Sequence, residues 1–225
     1  MDYGFLFNKC YKCFRPVKSC YCKDITPIDT GIKFVLLMHP KEAFKQKTGT
    51  GRLTSLSLID SEIIIGTDFS RNKRVNALIS GVGEFAMYYP VLLFPSKDAS
   101  FADTTSFSQS IGSKKLLVIL IDATWFLAQK MLKFSKNLTH LPKLSFKNEY
   151  RSQFHIKLQP DPSYLSTIES TYYLINELKA AGIARADADT SGLMNVFQKM
   201  VTFQQRCTQM RHEEEAMAIH PELFD

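Results

Sequence analysis

Four of the five cysteines fall in one short run, Cys10-x-x-Cys13, six residues, then Cys20-x-Cys22. Thiolates this close along a chain can surround a tetrahedral zinc ion. A disulfide pair is the alternative, but closing Cys-x-Cys makes a small strained ring. The chain also shows no basic, apolar leader of the kind that sends proteins to an oxidising compartment. A closed shell of Cys10, Cys13, Cys20 and Cys22 leaves no position for water, so such a metal holds structure rather than performs chemistry. Cys207 stands alone in a helical stretch and reads as a packing residue. The second constellation is Asp122-Ala-Thr124-Trp125, directly after the apolar run Leu116–Ile121. An aspartate at that position either caps a helix or is a positioned functional carboxylate. Trp125, the one tryptophan, is either a core anchor or a pocket wall. Thr48-Gly-Thr-Gly-Arg52 is a glycine-rich turn that either simply reverses the chain or presents N–H groups and Arg52 to an anion.

The elements that must position these groups follow from periodicity. Ile32–Met38 reads as a buried strand that runs into His39-Pro40, where proline stops sheet pairing. A helix is expected through Leu53, Leu56 and Ile59, then a strand in 61–67, a third at Val91–Phe94 and the strongest at Leu116–Ile121. A helix follows over about 124–134. Ser166-Thr-Ile-Glu169 is a capping box that opens another, in which Ile168, Tyr172, Ile175 and Leu178 repeat at helical spacing. A last helix spans about 191–217. Residues 96–113 are polar and read as an irregular connection, and 182–191 as a mobile link. Short apolar strands alternating with helices indicate an α/β domain with a largely parallel sheet over 31–225, preceded by a zinc-binding segment over 1–30. In such sheets ligands collect outside the carboxyl ends of the strands, which singles out Leu93–Ser96, Asp122–Trp125 and Gln159–Thr167.

Several classes are excluded by missing patterns. There is no G-x-G-x-x-G after the first strand, no phosphate-binding G-x-x-x-x-G-K-[ST] and no G-x-S-x-G elbow. His155, His212 and His220 share no metal or triad spacing. The net charge of +6 favours a polyanionic partner. In the cysteine segment Lys9, Lys12, Arg15, Lys18 and Lys23 interleave with Tyr11, Phe14 and Tyr21, a pattern able to clamp phosphates and stack on bases. No apolar run approaches a membrane span, and a cytoplasmic protein is expected.

The Asp122-x-Thr124-Trp125 string after an apolar strand resembles the motif that names the DTW-domain family. Cys-x-x-Cys-x-Arg-Pro with Cys-x-Cys over 10–22 is similar to that family's zinc segment. His39-Pro40, Thr50-Gly-Arg52, Leu92-Leu-Phe-Pro95 and Leu165-Ser-Thr-Ile-Glu169 follow in the family's order. The resemblance spans Cys10 to Glu169, with a looser fit over 149–159, where either Arg151 or Lys157 takes the basic role. It implies a tRNA-uridine aminocarboxypropyltransferase using S-adenosylmethionine, with a SPOUT-like sheet and a C-terminal trefoil knot. It also implies a cofactor pocket of Leu93, Phe94, Pro95, Ser96, Thr124, Trp125, Leu165, Ser166 and Thr167. Arg15, Lys18, Arg52 and Arg151 would then engage tRNA, with no protein partner indicated.

Under that reading Asp122 is the candidate catalytic group, either accepting the N3 proton of a uridine or orienting the reactants. An ordinary carboxylate is a weak base for an imide, so the first role requires burial to strengthen it. The rival readings are a knotted RNA methyltransferase and a non-catalytic zinc-knuckle RNA-binding protein. Chelation, or Cys13→Ser, is expected to open residues 1–30 to protease. An unchanged digestion pattern after either treatment would argue against a metal there.

Overall fold

The computed structural model describes residues 9–46, 48–154, 156, 161 and 163–219, with side chains through Arg211. Six parallel strands form one sheet: β1 Lys33–Met38, β2 Ser61–Ile65, β3 Tyr88–Leu93, β4 Ser100–Phe101, β5 Lys115–Asp122 and β6 Lys143–Ser145. Their order across the sheet is β2-β1-β5-β3-β6-β4. The helices are α1 Pro40–Phe44, α2 Gly51–Leu56, α3 Lys73–Ile79, α4 Thr105–Ile111, α5 Trp125–Phe134, α6 Thr167–Ala180 and α7 Ser191–Ile219.

The central strands are apolar without interruption because both faces of the sheet are covered. Alternation decides which cover each residue meets. Phe34, Leu36, Val118 and Leu120 point to one side, into a core with Ile168, Leu174 and Leu178 of α6 and Val196, Phe197 and Met200 of α7. Val35, Leu37, Leu117 and Ile119 point to the other, where Val75 and Leu78 of α3 and Met131 of α5 meet them. Asp122 continues the even series of β5. Its carboxylate is therefore delivered to the α6 side, level with Met38 in the β1 register.

Several expectations of detail shift. Residues 96–113 are not irregular throughout. They contain the edge strand β4 and helix α4, whose Phe107 and Ile111 are buried one turn apart among serines and threonines. The helix through Leu53 ends at Leu56, and Ile59 lies beyond it, largely exposed. Pro40 does stop β1, and it also starts α1 at the first helical position, where its missing N–H costs nothing. His39 caps that helix by accepting from the Lys41 N–H at 3.0 Å. Helix α3, capped by Asn72, and strand β6 carry no clear signal in the sequence. Cys13 and Tyr21 of the cysteine segment are buried in the same core as residues of α6 and α7. Among the described residues no helix is long and apolar enough to cross a membrane.

Ile119 sits at the centre of the sheet with no exposure. Ile119→Ala is expected to cost about 2–5 kcal/mol, the usual range for emptying such a site. Urea unfolding of the two proteins measures it, and a loss below ~1 kcal/mol would mean the β5 centre is not close-packed.

Candidate functional site

Asp122 is 5% exposed at the carboxyl end of the strand between β1 and β3. Its Oδ1 accepts a hydrogen bond from Thr167 Oγ1 at 2.5 Å, which joins the end of β5 to the first residue of α6. Its backbone carbonyl accepts from the His39 N–H at 3.0 Å, which joins it to the end of β1. The other side of the carboxylate lies against Gly51. A Cβ at Gly51 would stand 2.0 Å from Asp122 Oδ2 and 2.9 Å from Met38 Cε. Glycine is required there by close approach, since only a bare backbone leaves room for the carboxylate. The glycine-rich turn thus houses the protein's own carboxylate. Arg52, the next residue, feels that charge. Burial pushes its guanidinium below the ordinary arginine range, while Asp122 and Cys13 pull it back up.

A second buried carboxylate organises the same helix start. Glu169 has no exposure and accepts from the Ser166 N–H at 2.8 Å and the Ser166 hydroxyl at 2.6 Å. It also accepts from the Gln153 N–H at 2.6 Å and the Ser152 hydroxyl at 2.9 Å. The capping box expected at Ser166 is present, and its glutamate additionally holds the incoming loop. An anion at a helix N-terminus is favoured by the exposed N–H groups and the helix dipole.

The three loops singled out from sequence meet through aromatic rings. Trp125 stacks on Phe94, with centroids 5.3 Å apart and planes 13° apart. On Trp125 rests Tyr164, at 5.2 Å. The Phe94, Trp125 and Tyr164 side chains are half-buried, so the stack is neither a closed core nor a free surface. Leu93, Leu165, Ser166 and Thr167 flank it half-buried, whereas Pro95, Ser96 and Thr124 are exposed. Ser96 donates to Asp98 through its hydroxyl. Of the stretch 159–167, Gln159, Pro160 and Pro162 lie outside the described residues, as do Lys157, His155 and His220. Arg151 is exposed and close enough to the Asp161 carboxyl to help hold it below the usual range, after Ser163's hydrogen bonds. Tyr164 belongs to the 159–167 loop, and its one individual signal in the sequence is an aromatic ring two residues before a helix cap.

The cysteines converge as their spacing suggests. Cys10, Cys13, Cys20 and Cys22 place their Sγ atoms within 4.8 Å of one another. Two pairs, Cys10–Cys22 and Cys13–Cys20, stand at 3.7 Å. A tetrahedral metal with bonds of about 2.3 Å holds its sulfurs ~3.8 Å apart, so the cluster fits a thiolate-bound metal ion. Burial opposes ionisation at Cys10, yet the N–H groups of Cys13 and Lys12 and the Cys20 and Cys22 sulfurs bring its thiol down to about 6. Burial drives the Cys13 and Cys22 thiols up. A bound cation offsets that penalty by stabilising every thiolate at once. The turn is closed by Phe14, the one non-glycine residue with positive φ among those described, at 59°.

Arg15 departs from its expected role. It is 8% exposed, with Nη2 donating to the Gly49 carbonyl at 3.0 Å and to Met200 Sδ at 3.1 Å. Its guanidinium also lies 5.1 Å from the centre of the Tyr21 ring. The Nη2 donors are therefore used inside the protein, where they fasten the cysteine turn to α7 and to the loop before Gly51. Arg52 is held nearby, 4.1 Å over the Phe14 ring, with Nη2 on the Ala43 carbonyl at 3.3 Å. Lys18 remains exposed.

Fold and site together define an α/β protein with a parallel sheet, a buried aspartate at a central strand end and a four-cysteine cluster able to hold a metal ion. The DTW domain family model matches residues 7–205, and the chain belongs to that family. It is 30% identical over 167 residues to tRNA-uridine aminocarboxypropyltransferase 2 of Drosophila melanogaster, covering 72% of this chain and 63% of that protein. It is 26% identical over 166 residues to the Mus musculus protein of the same name, covering 72% and 53%. To tRNA-uridine aminocarboxypropyltransferase A of Arabidopsis thaliana it is 31% identical over 142 residues, covering 56% and 51%. The chain therefore spans about half to under two thirds of the length of these relatives. No solved structure matches significantly.

Gly51→Ala is expected to lower stability by about 1–3 kcal/mol by displacing the Asp122 carboxylate. In an Asp122→Ala background most of that loss should vanish, a coupling on the order of 1 kcal/mol or more in a double-mutant cycle. Additive effects of the two substitutions would contradict the close approach.

Proposed function

We propose that the protein transfers the 3-amino-3-carboxypropyl group of S-adenosylmethionine to N3 of a uridine in tRNA. Support comes from the family, from the names of its relatives, and above all from one arrangement. The Phe94–Trp125–Tyr164 stack and the Thr167–Asp122 hydrogen bond bring the three strand-end loops to one place. These residues fit the cofactor. A half-buried aromatic stack offers a flat face to an adenine ring, and polar main-chain groups at Leu93–Ser96 and Leu165–Thr167 adjoin it. When bound, S-adenosylmethionine supplies an electrophilic aminocarboxypropyl carbon and a neutral thioether leaving group. Selectivity for that arm over the methyl is a matter of orientation.

The chain's own residues supply that orientation. Asp122 is a positioning residue in this proposal. Its Oδ1 holds the Thr167 hydroxyl, its other face lies against Gly51, and it is nearly shut off from solvent. Thr167 and Ser166 are thereby fixed beside the stack. With Asp122 engaged in this way, the N3 proton departs to solvent, and N3 attacks as the imide anion. Activity then rises with pH through the neutral range, following ionisation of the base. The metal of the Cys10, Cys13, Cys20 and Cys22 site is zinc, held for structure.

Arg52 on Phe14, Tyr11, which is 82% exposed, and Lys18 and Arg151 present charge and ring faces to the RNA. N3 is engaged in a paired uridine, so the target is an unpaired or splayed one. The resemblance further implies the SPOUT-like trefoil knot. Its support here is that β5 inserts between β1 and β3, both laid down earlier in the chain.

Nucleoside mass spectrometry of tRNA treated with the protein and S-adenosylmethionine is expected to show a uridine carrying the aminocarboxypropyl group. A methyl group alone would overturn the reading. Asp122→Ala should lower the rate at least ~100-fold, whereas Asp122→Asn, which keeps an acceptor for Thr167, should stay within about tenfold of wild type. Equal loss in both variants would assign Asp122 the proton-accepting role instead.

A further inference from the structure

A groove of about 830 Å³ runs between the cysteine segment and α7, and none of its lining comes from the strand-end loops. One wall carries Lys18 and Lys23, the other Lys199 and Arg206. The single carboxylate among the lining residues, Asp24, is already bound to Lys199 at 2.6 Å. The charge left over is thus strongly positive, and Lys18, Lys23 and Arg206 are exposed.

The uncharged lining is of a particular kind. Ser19, Asn195, Gln198 and Thr202 offer hydroxyl and amide groups, the neutral partners that most often accompany lysine and arginine on phosphate oxygens. Phe203 lies among them with 38% of its surface exposed, a flat face open to stacking. Tyr21 also lines the groove, 7% exposed, with the Arg15 guanidinium 5.1 Å from its ring centre.

We infer that this groove is a second RNA-docking site, which grips the sugar–phosphate backbone of the tRNA at a distance from the uridine being modified. The inference rests on the proposed function. The occupant is a nucleic acid strand because cations, amide and hydroxyl donors and an exposed ring line one channel. Arg15 couples the two sites mechanically, since it ties α7 at Met200 to the loop that carries Gly51 and Arg52. The groove gives α7 a function beyond packing. It also makes recognition of the tRNA body separable from recognition of the target base.

The test compares a double variant, Lys23→Ala/Arg206→Ala, with a control that removes the same charge from the far side of the sheet, Lys130→Ala/Lys133→Ala. The probes are unmodified tRNA from cells lacking the protein and a short uridine-containing stem-loop. Fluorescence anisotropy is read across a salt series, and modification kinetics are measured alongside. The groove variant should bind tRNA on the order of tenfold more weakly, with a salt slope shallower by about 1.5, because each phosphate contact contributes ~0.7–0.9. Its KM for tRNA should rise while kcat at saturation and binding of the stem-loop stay near wild type. The control should match wild type. Equal weakening in both variants, or none in the groove variant, overturns the groove. Wild-type protein that neither binds nor modifies tRNA overturns the proposed function and the groove with it. Modification that persists beside an unaffected groove variant removes the groove alone.

Discussion

One buried carboxylate constrains the rest of this molecule. Asp122 ends the most apolar strand of the sheet, where a charged group out of water must find partners or destabilise the fold. It finds the Thr167 hydroxyl on one side and room against Gly51 on the other. Both requirements reach outward. The turn before α2 must be bare at Gly51, and α6 must begin at the height of the sheet's carboxyl edge. Glu169 then anchors the same helix start to Ser152 and Gln153, so the segment preceding α6 is pinned from both ends. The half-buried aromatic stack sits over this frame, and its accuracy derives from the frame rather than from the loops.

The cysteine segment serves that frame as well. Its sulfurs converge into a metal-sized cluster, but the mechanical link is the next residue, Arg15. A guanidinium buried among Gly49, Met200 and Tyr21 costs desolvation, which its hydrogen bonds and the ring beneath it offset. Phe14 adopts a left-handed backbone, typically a cost of about 1–2 kcal/mol for a residue with a side chain. That conformation places its ring under Arg52. Strain at one residue is thus traded for a contact between the cysteine turn and the neighbourhood of Asp122. A metal ion held by the four cysteines would act on the strand-end site through Arg15 and Arg52, with no direct contact needed.

The surface chemistry divides along the same lines. Rings near the strand ends stack on one another, whereas those of the cysteine segment lie beside cations or in the open. Charge held in a groove with hydroxyls and amides suits a phosphate chain, while a stacked platform suits a single flat ring. The proposed polynucleotide substrate would use both kinds of surface.

Much of this was legible in the residues themselves. Cysteine spacing is local, so the metal-sized cluster could be read directly, as could the capping box at Ser166, the central strands and the strand-end position of Asp122. The parity of β5 even determines the side of the sheet its carboxylate faces. What the residues alone could not show depends on groups far apart in the chain. Thr167 meets Asp122 across 45 positions and Arg15 meets Met200 across 185, and no periodicity encodes such meetings. Arg15 looked like a phosphate ligand because its neighbours were basic and aromatic, and only packing against α7 turned it inward. Strands β4 and β6 and helix α4 escaped notice because short polar segments have little pattern of their own. Their structure comes from the sheet edge and the core that receives Phe107 and Ile111, which exist only once the chain has folded.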